Sequence, residues 1–441
     1  MLARQPAPDA APPTPRRRRP WWIPHFLGGV PDIEPRLLSL LGMVSLALFF
    51  EQYDISMLTA ALKFIAEDLG MSESELGGYT SAIRIGSLPA LLVIPFADRI
   101  GRRRLFLASV LGISVSTCAT AFTETPVQFV GCQIVTRIFL ITGSAVAIVI
   151  ITEEFPAEHR GWGIGMVGAL AACGNGFGAI LFAFIDKLPF GWRSLYAIGL
   201  VPLLLLSRFR RGVHETARFE AHRRRRIAEG DTATGVTGWL RPLVDLARTH
   251  PLRAGTIALV GGLASMGTIS VFQFIGYFTL TVHGWAPWEF SAMVFFGGAI
   301  GIIGNVVAGR LGDRVGRRYV GLAFLGSFPL FAWTFYRGPG WSLPLAWVMI
   351  VFCATAGTVV IRALSTELFP TSHRGTSAGW LSLVDTLGCA AGLALVGWGT
   401  RAPGDLARMT SLMAISVLAG GLFLLLLPET NRRELEEISA D

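Results

Sequence analysis

The chain has 441 residues, of which 52% are hydrophobic and 15% charged, with a formal net charge of +8 and a mean hydropathy of +0.54. Soluble domains carry about 25% charged residues, so this composition excludes an ordinary soluble enzyme. A nucleic-acid-binding role is excluded too, because the basic residues gather in particular loops and no soluble domain remains to carry a binding face.

Residues 1–36 are rich in Pro, Ala and Arg, with four arginines at 16–19 ahead of Trp21 and Trp22. They read as a disordered tail lying at a membrane surface. The apolar run from Leu37 is long enough to span and has no small-residue cleavage site behind it, so no cleavable signal is expected. Twelve apolar runs follow, at 37–62, 77–97, 105–123, 127–152, 162–185 and 191–208, then at 254–282, 289–311, 319–337, 342–367, 375–400 and 405–428. A lipid-exposed backbone must satisfy its own hydrogen bonds, so runs of about 20 residues are expected to be helices.

With the N-terminus placed in the cytoplasm, 29 of the 38 basic residues fall on the cytoplasmic side and 6 on the other. That bias predicts cytoplasmic termini and a cytoplasmic central loop. The expected organisation is an N-tail (1–36), a six-helix bundle (37–208), a linker (209–253), a second six-helix bundle (254–428) and a C-tail (429–441). The linker carries four arginines at 223–226 and a Gly/Thr-rich patch at 230–238, and reads as an amphipathic tether. The five cysteines (Cys118, Cys132, Cys173, Cys353 and Cys389) all lie in apolar runs without ligand spacing. They are expected to be packing residues, with no metal and no other cofactor.

The chain repeats itself. Residues 152–161 (TEEFPAEHRG) return 214 positions later as 366–375 (TELFPTSHRG), with seven of ten identical. Residues 97–103 (ADRIGRR) are echoed by 312–318 (GDRVGRR) at an offset of 215. Both echoes sit in short charged loops between apolar runs, which marks two copies of one six-helix unit and hence a transporter built on a repeat.

Twelve spans in two echoing halves, with these loops, resemble the major facilitator superfamily. The resemblance implies an all-α membrane protein of two pseudo-symmetric six-helix bundles, moving a small molecule by alternating access. The ending at 428–438 (PETNRRELEEI) and the segment at 214–219 (HETARF) are similar to the sugar-porter and related metabolite branch. Where sugar porters typically place paired glutamines in the seventh helix, this chain has Val271-Phe272-Gln273-Phe274, which argues against a sugar. Glu51-Gln52-Tyr53-Asp54 looks instead like the Glu-x-Tyr-Asp pattern of metabolite–proton symporters that carry organic acids and osmolytes.

Six ionisable residues lie well inside predicted spans: Glu51, Asp54, Arg84, Arg137, Arg362 and Asp385. Each would cost roughly 2.5–3.5 kcal/mol facing lipid at mid-bilayer, so they must face a cavity or one another. Glu51 and Asp54 share a helix face. At about 1.5 Å per residue, Arg84 and Arg137 reach depths close to that of Asp54. An acid on the first helix and an arginine on the fourth resemble the proton-coupling pair of sugar–proton symporters. Burial opposes charge on a carboxyl and a nearby guanidinium favours it, so Asp54 is expected to carry the proton and Arg137 to switch it. A static pair fixing two helices is the alternative. Glu51 and Asp385 are further proton-coupling candidates.

Arg84 is a candidate for a substrate carboxylate, since a guanidinium matches its two oxygens, or else it neutralises Glu51. Asn175, Gln273, Tyr277, Asn305 and Trp380 are substrate-binding candidates at cavity depth, with helix packing the equal alternative. Arg362 is close enough to Glu367 to snorkel. In the loops, Asp98 is expected at the N-terminus of the eleventh helix and Asp313 at that of the fifth, where unpaired amides favour an anion. The resemblance further implies that Arg102 pairs with Glu153, and Arg317 with Glu367, when the cytoplasmic face is shut, and that both break as it opens.

The expected function is proton-coupled symport of a small polar metabolite, an organic acid ahead of a sugar. The expected partners are that substrate, protons and the lipid of a multi-pass plasma-membrane protein acting as a monomer. A drug–proton antiporter is the first alternative, although the fifth helix has Gly174-Asn175 where such exporters usually carry Gly-Pro. A transporter-like nutrient sensor is the second. Enzymatic activity finds no motif. Arginine outnumbers lysine 36 to 2, the mark of a GC-rich bacterial genome and so of a bacterial inner membrane.

Overall fold

The computed structural model describes residues 20, 22–23, 29–93, 100–156, 158–213, 215, 237–369 and 374–429. Each apolar run coincides with one helix or a consecutive set of short ones, and no strand occurs among the described residues. The first half runs through Pro35–Ala60, Glu73–Ile85 with Pro89–Val93, Arg102–Thr120, Pro126–Glu154, Arg160–Phe182, and the broken sixth segment Trp192–Ala197, Leu200–Leu204 and Leu206–Gly212. The second half runs through Pro251–Gln273 with Ile275–Val282, Pro287–Gly301 with Ile303–Val315, Arg317–Arg337, Leu343–Glu367, Arg374–Gly399, and Asp405–Met413 with Ile415–Phe423. Below, these are the first to twelfth helices.

Among the described residues, nine of the twelve are long and apolar enough to cross a membrane; the second, third and sixth are not. The third begins with Arg102, Arg103 and Arg104, and the second and sixth are interrupted. Two further helices flank the spans. Leu62–Leu69 ends on Gly70 at φ 67°. Thr237–Thr249 covers the end of the linker and buries Leu243 and Leu246; it packs on the seventh and eleventh helices.

Local chemistry sets several helix starts. Proline occupies the first turn of the helices beginning at Pro35, Pro126, Pro251 and Pro287, where its missing N–H costs nothing. Thr125 and Gln128 close a reciprocal cap on the fourth helix. Within each half the pairing is equivalent: the first helix packs on the fifth and the seventh on the eleventh. Small residues let these backbones approach. A Cβ on Gly174 would lie 2.0 Å from the Phe49 carbonyl oxygen, and one on Gly388 would lie 2.3 Å from that of Gly262.

The extensive contacts between the described residues of the two halves lie at one end. Among the described residues their extensive contacts join the second helix to the eleventh, the fifth to Pro287–Gly301, and the first to Ile275–Val282. All use the half of each helix that lies away from the chain termini. There, Ser81 Oγ donates to the Ala390 carbonyl at 2.8 Å, Lys63 Nζ to that of Leu280 at 3.2 Å, and Phe182 meets Phe290 edge-on at 5.7 Å. The hydrophobic core is continuous across the halves at this closed face, through Leu58, Leu62, Phe182, Phe278 and Phe290. Toward the termini the first half keeps a separate core around Leu41, Val44, Phe106 and Ile150. Along the fifth helix, Gly161, Gly165 and Gly168 look into open space on the termini side. Large apolar side chains such as Trp333, Trp398 and Phe296 point outward, as a lipid-facing surface requires.

Candidate functional site

Tyr53 is fully buried and its hydroxyl donates to the Leu195 carbonyl at 2.7 Å, tying the first helix to the sixth. That tie fixes the rotation of the helix carrying Glu51 and Asp54, whose side chains are 8% and 1% exposed. Thr117 on the third helix donates to Asp54 Oδ1 at 3.0 Å. Asp54 Oδ2 and Glu51 Oε2 are buried without a hydrogen-bond partner. An ionised carboxyl oxygen with no protein donor is costly away from water, and protonation lowers that cost.

Arg137 enters from the fourth helix, 4% exposed, with Nε unpartnered. Its charge interacts with those of Glu51, Asp54 and Arg84. Among the described residues it forms no ion pair at 4.0 Å or less. The structure thus brings Glu51, Asp54, Arg137 and Arg84 into one neighbourhood. Arg84 lies one turn from Ser81, at the inner edge of the contact between halves. Across that contact Cys389, on the eleventh helix, feels Arg84, Arg137 and Asp385 together. Asp385 accepts from Ser265 Oγ at 2.7 Å and lies within the influence of Arg362, itself exposed.

The remaining candidates scatter. Asn175 Nδ2 donates to Gln52 Oε1 at 3.0 Å, beside the acidic pair. Gln273 is 2% exposed with Nε2 unpartnered. Tyr277 lies toward the closed face, near Glu67 and Glu73. The Trp380 indole donates to Ala254 at 3.1 Å, near the start of the seventh helix and away from the acidic pair. Asn305 is exposed.

Of the loop residues, Asp98 lies outside the described residues. Arg102 pairs with Glu153 at 3.2 Å, and Arg317 pairs with Glu367. Each pair stays inside one half, and both are intact although the described residues of the two halves make no extensive contact at this face. Asp313 is 70% exposed and its partner is Arg317 at 3.6 Å. Among the described residues it makes no hydrogen bond or ion pair with the fifth helix.

Sequence reasoning missed the partners of the duplicated loops. Glu215 accepts from the Arg103 amide at 3.2 Å, and Glu429 from the Arg317 and Arg318 amides at 2.9 and 3.2 Å. Arg103 Nε donates to Val213 at 2.8 Å, and Arg318 Nη1 to Leu427 at 3.0 Å. The signal was present, since Glu215 and Glu429 stand 214 positions apart, the spacing of the repeat itself. Gln52 was missed as well.

The chain is similar to the gallate transporter of Pseudomonas putida, 26% identical over 412 residues, covering 88% of this chain and 90% of that protein. It is similar to the cis,cis-muconate transport protein of Acinetobacter baylyi, 25% identical over 363 residues, covering 80% and 85%. Among solved structures it matches the xylose transporter of E. coli in an inward-open conformation, with a TM-score of 0.68 at 18% identity over 92% of this chain and 99% of that one. That likeness shows the shared fold. The Major Facilitator Superfamily model matches residues 44–392 and 301–440. With a helical fold in two repeated halves behind it, this match establishes that the chain belongs to the major facilitator superfamily of membrane transporters.

Proposed function

We propose that the protein imports a small organic acid together with protons by alternating access, with the termini-bearing face in the cytoplasm. The observation that carries this reading is the pair of buried carboxyls, Glu51 and Asp54, each with an orphaned oxygen, beside Arg137. A carboxyl in such a place changes protonation when its cationic neighbour moves, and helix movement between two states supplies that change. The transported acids named for the two relatives, gallate and cis,cis-muconate, are carboxylates, and Arg137 and Arg84 lie close to the acidic pair here.

In this reading the structure faces inward, closed by the second and eleventh helices on the outer side. Arg102–Glu153 and Arg317–Glu367 hold the loop ends that shut the inner face in the outward-facing state. They act as braces within each half, and the closing contacts are made by the segments they brace.

The test is proteoliposome transport of gallate with internal pH recorded. Wild type accumulates gallate down an inward proton gradient and acidifies the lumen. Asp54→Asn retains gallate exchange and loses gradient-driven accumulation. Full accumulation by Asp54→Asn refutes Asp54 as the proton carrier.

A further inference from the structure

We infer that Arg84 and Arg137 together hold the substrate's carboxylate, and that bound substrate displaces Asp54 and Glu51 as the anionic partner of Arg137. The inference rests on the symport reading above and names the ligand chemistry of the same site.

Two guanidinium groups on packed helices repel each other. Among the described residues neither side chain donates a hydrogen bond within 3.5 Å or forms an ion pair within 4.0 Å. Arg137 is nevertheless 4% exposed, and its Nε is sealed from solvent without a partner. Two neighbouring cations with unused donors, one of them buried, favour an anion between them. The planar fork of each matches a carboxylate's two oxygens. The place suits a transported ligand, because Arg84 sits where the second helix leaves its contact with the eleventh. A molecule held there lies against both halves at the closed end of the space between them.

Charge balance connects this cradle to the proton. The carboxyls are faced by Arg137 and Ser144 of the fourth helix, Thr117 of the third and Tyr196 of the sixth. Arg84 and Arg137 carry two positive charges and Glu51 and Asp54 two negative charges when ionised, while Asp385 across the contact is offset by Arg362, so the empty site with both carboxyls ionised is neutral. A bound monocarboxylate keeps that neutrality only if one carboxyl is protonated, and a dicarboxylate only if both are. A net charge buried here is expensive, so uptake is electroneutral, with one proton for each negative charge on the substrate.

Gallate, its uncharged methyl ester and cis,cis-muconate are the probes, with full-length protein in detergent for binding and in proteoliposomes for flux. Wild type is expected to bind gallate at least about tenfold more tightly than the ester, as charged hydrogen bonds require. This comparison needs no substitution. Arg84→Gln and Arg137→Gln, checked for monodispersity, each weaken gallate by a similar factor and leave the ester unchanged. Asp54→Asn tightens gallate at neutral pH by removing its competitor. Proton flux is one per gallate and two per muconate. Equal affinity for gallate and ester, or unchanged gallate affinity in Arg84→Gln, overturns the cradle while proton-coupled uptake stands. Absence of proton movement with both acids overturns the symport reading and the cradle with it.

Discussion

Glu429 accepts hydrogen bonds from the backbone amides of both Arg317 and Arg318, closing the N-terminus of the ninth helix with a carboxylate from just beyond the twelfth. The arrangement recurs where Glu215 meets the amide of Arg103 at the start of the third helix. Both helices open on a glycine at positive φ, Gly101 at 107° and Gly316 at 117°. The turn aims unpaired amides at the acid, and the helix dipole adds to the attraction. The third helix is thereby fastened to the end of the sixth, and the ninth to the segment that follows the twelfth, at the termini face.

Glu429→Ala is expected to lower stability by about 1–2 kcal/mol, the cost of an N-cap. Gly316→Ala is expected to cost about 1–3 kcal/mol through its backbone conformation, because its Cβ would also lie 2.8 Å from Glu429 Oε2. Thermal unfolding of the detergent-solubilised variants measures both. A Gly316→Ala protein as stable as wild type refutes the constraint.

Gly77→Val is expected to open the closed face. A Cβ on Gly77 would stand 2.3 Å from the Gly397 nitrogen, and one on Gly397 would stand 2.7 Å from that of Gly78, so the two backbones touch without side chains between them. Adding bulk forces the second and eleventh helices apart at the point where Glu73 also accepts from the Gly404 amide at 3.0 Å. Spin labels at Ser74 and Ala402 are expected to report a longer distance in the variant. An unchanged distance shows that some other contact holds this face shut.

The repeat and the apolar runs made the fold readable, because lipid leaves the backbone few choices and a duplicated loop marks equivalent places in two halves. Asp54, Arg137 and Arg84 were legible for a related reason. Counting residues inward from a charged loop measures depth, and only groups at matching depth can meet. Depth does not give direction around the helix axis. Tyr277, Trp380 and Asn305 lie at plausible depths yet face the closed end, the seventh-helix backbone and an exposed surface. In a soluble protein the apolar stripe would have supplied that direction, but lipid and core are both apolar, so the pattern weakens. Asp313 illustrates another limit. Its expected partner depends on which face is closed, and conformation is not written in local spacing.

Arg102 and Glu153 form the pair in which a brace within one half can be separated from a bond between halves. Their side chains are only 10% and 14% exposed and meet at 3.2 Å. Glu153→Gln removes one charged partner from a largely buried guanidinium and is expected to destabilise the protein by about 1–3 kcal/mol. Charge exchange in Arg102→Glu with Glu153→Arg is expected to recover part of that loss, and a double-mutant cycle on unfolding temperature measures the coupling. Because both residues belong to the first half and are already paired with the termini face open, the Ser74–Ala402 label distance is expected to stay at its wild-type value in Glu153→Gln. A change in that distance without loss of stability would mean that the pair selects between conformations rather than bracing one half.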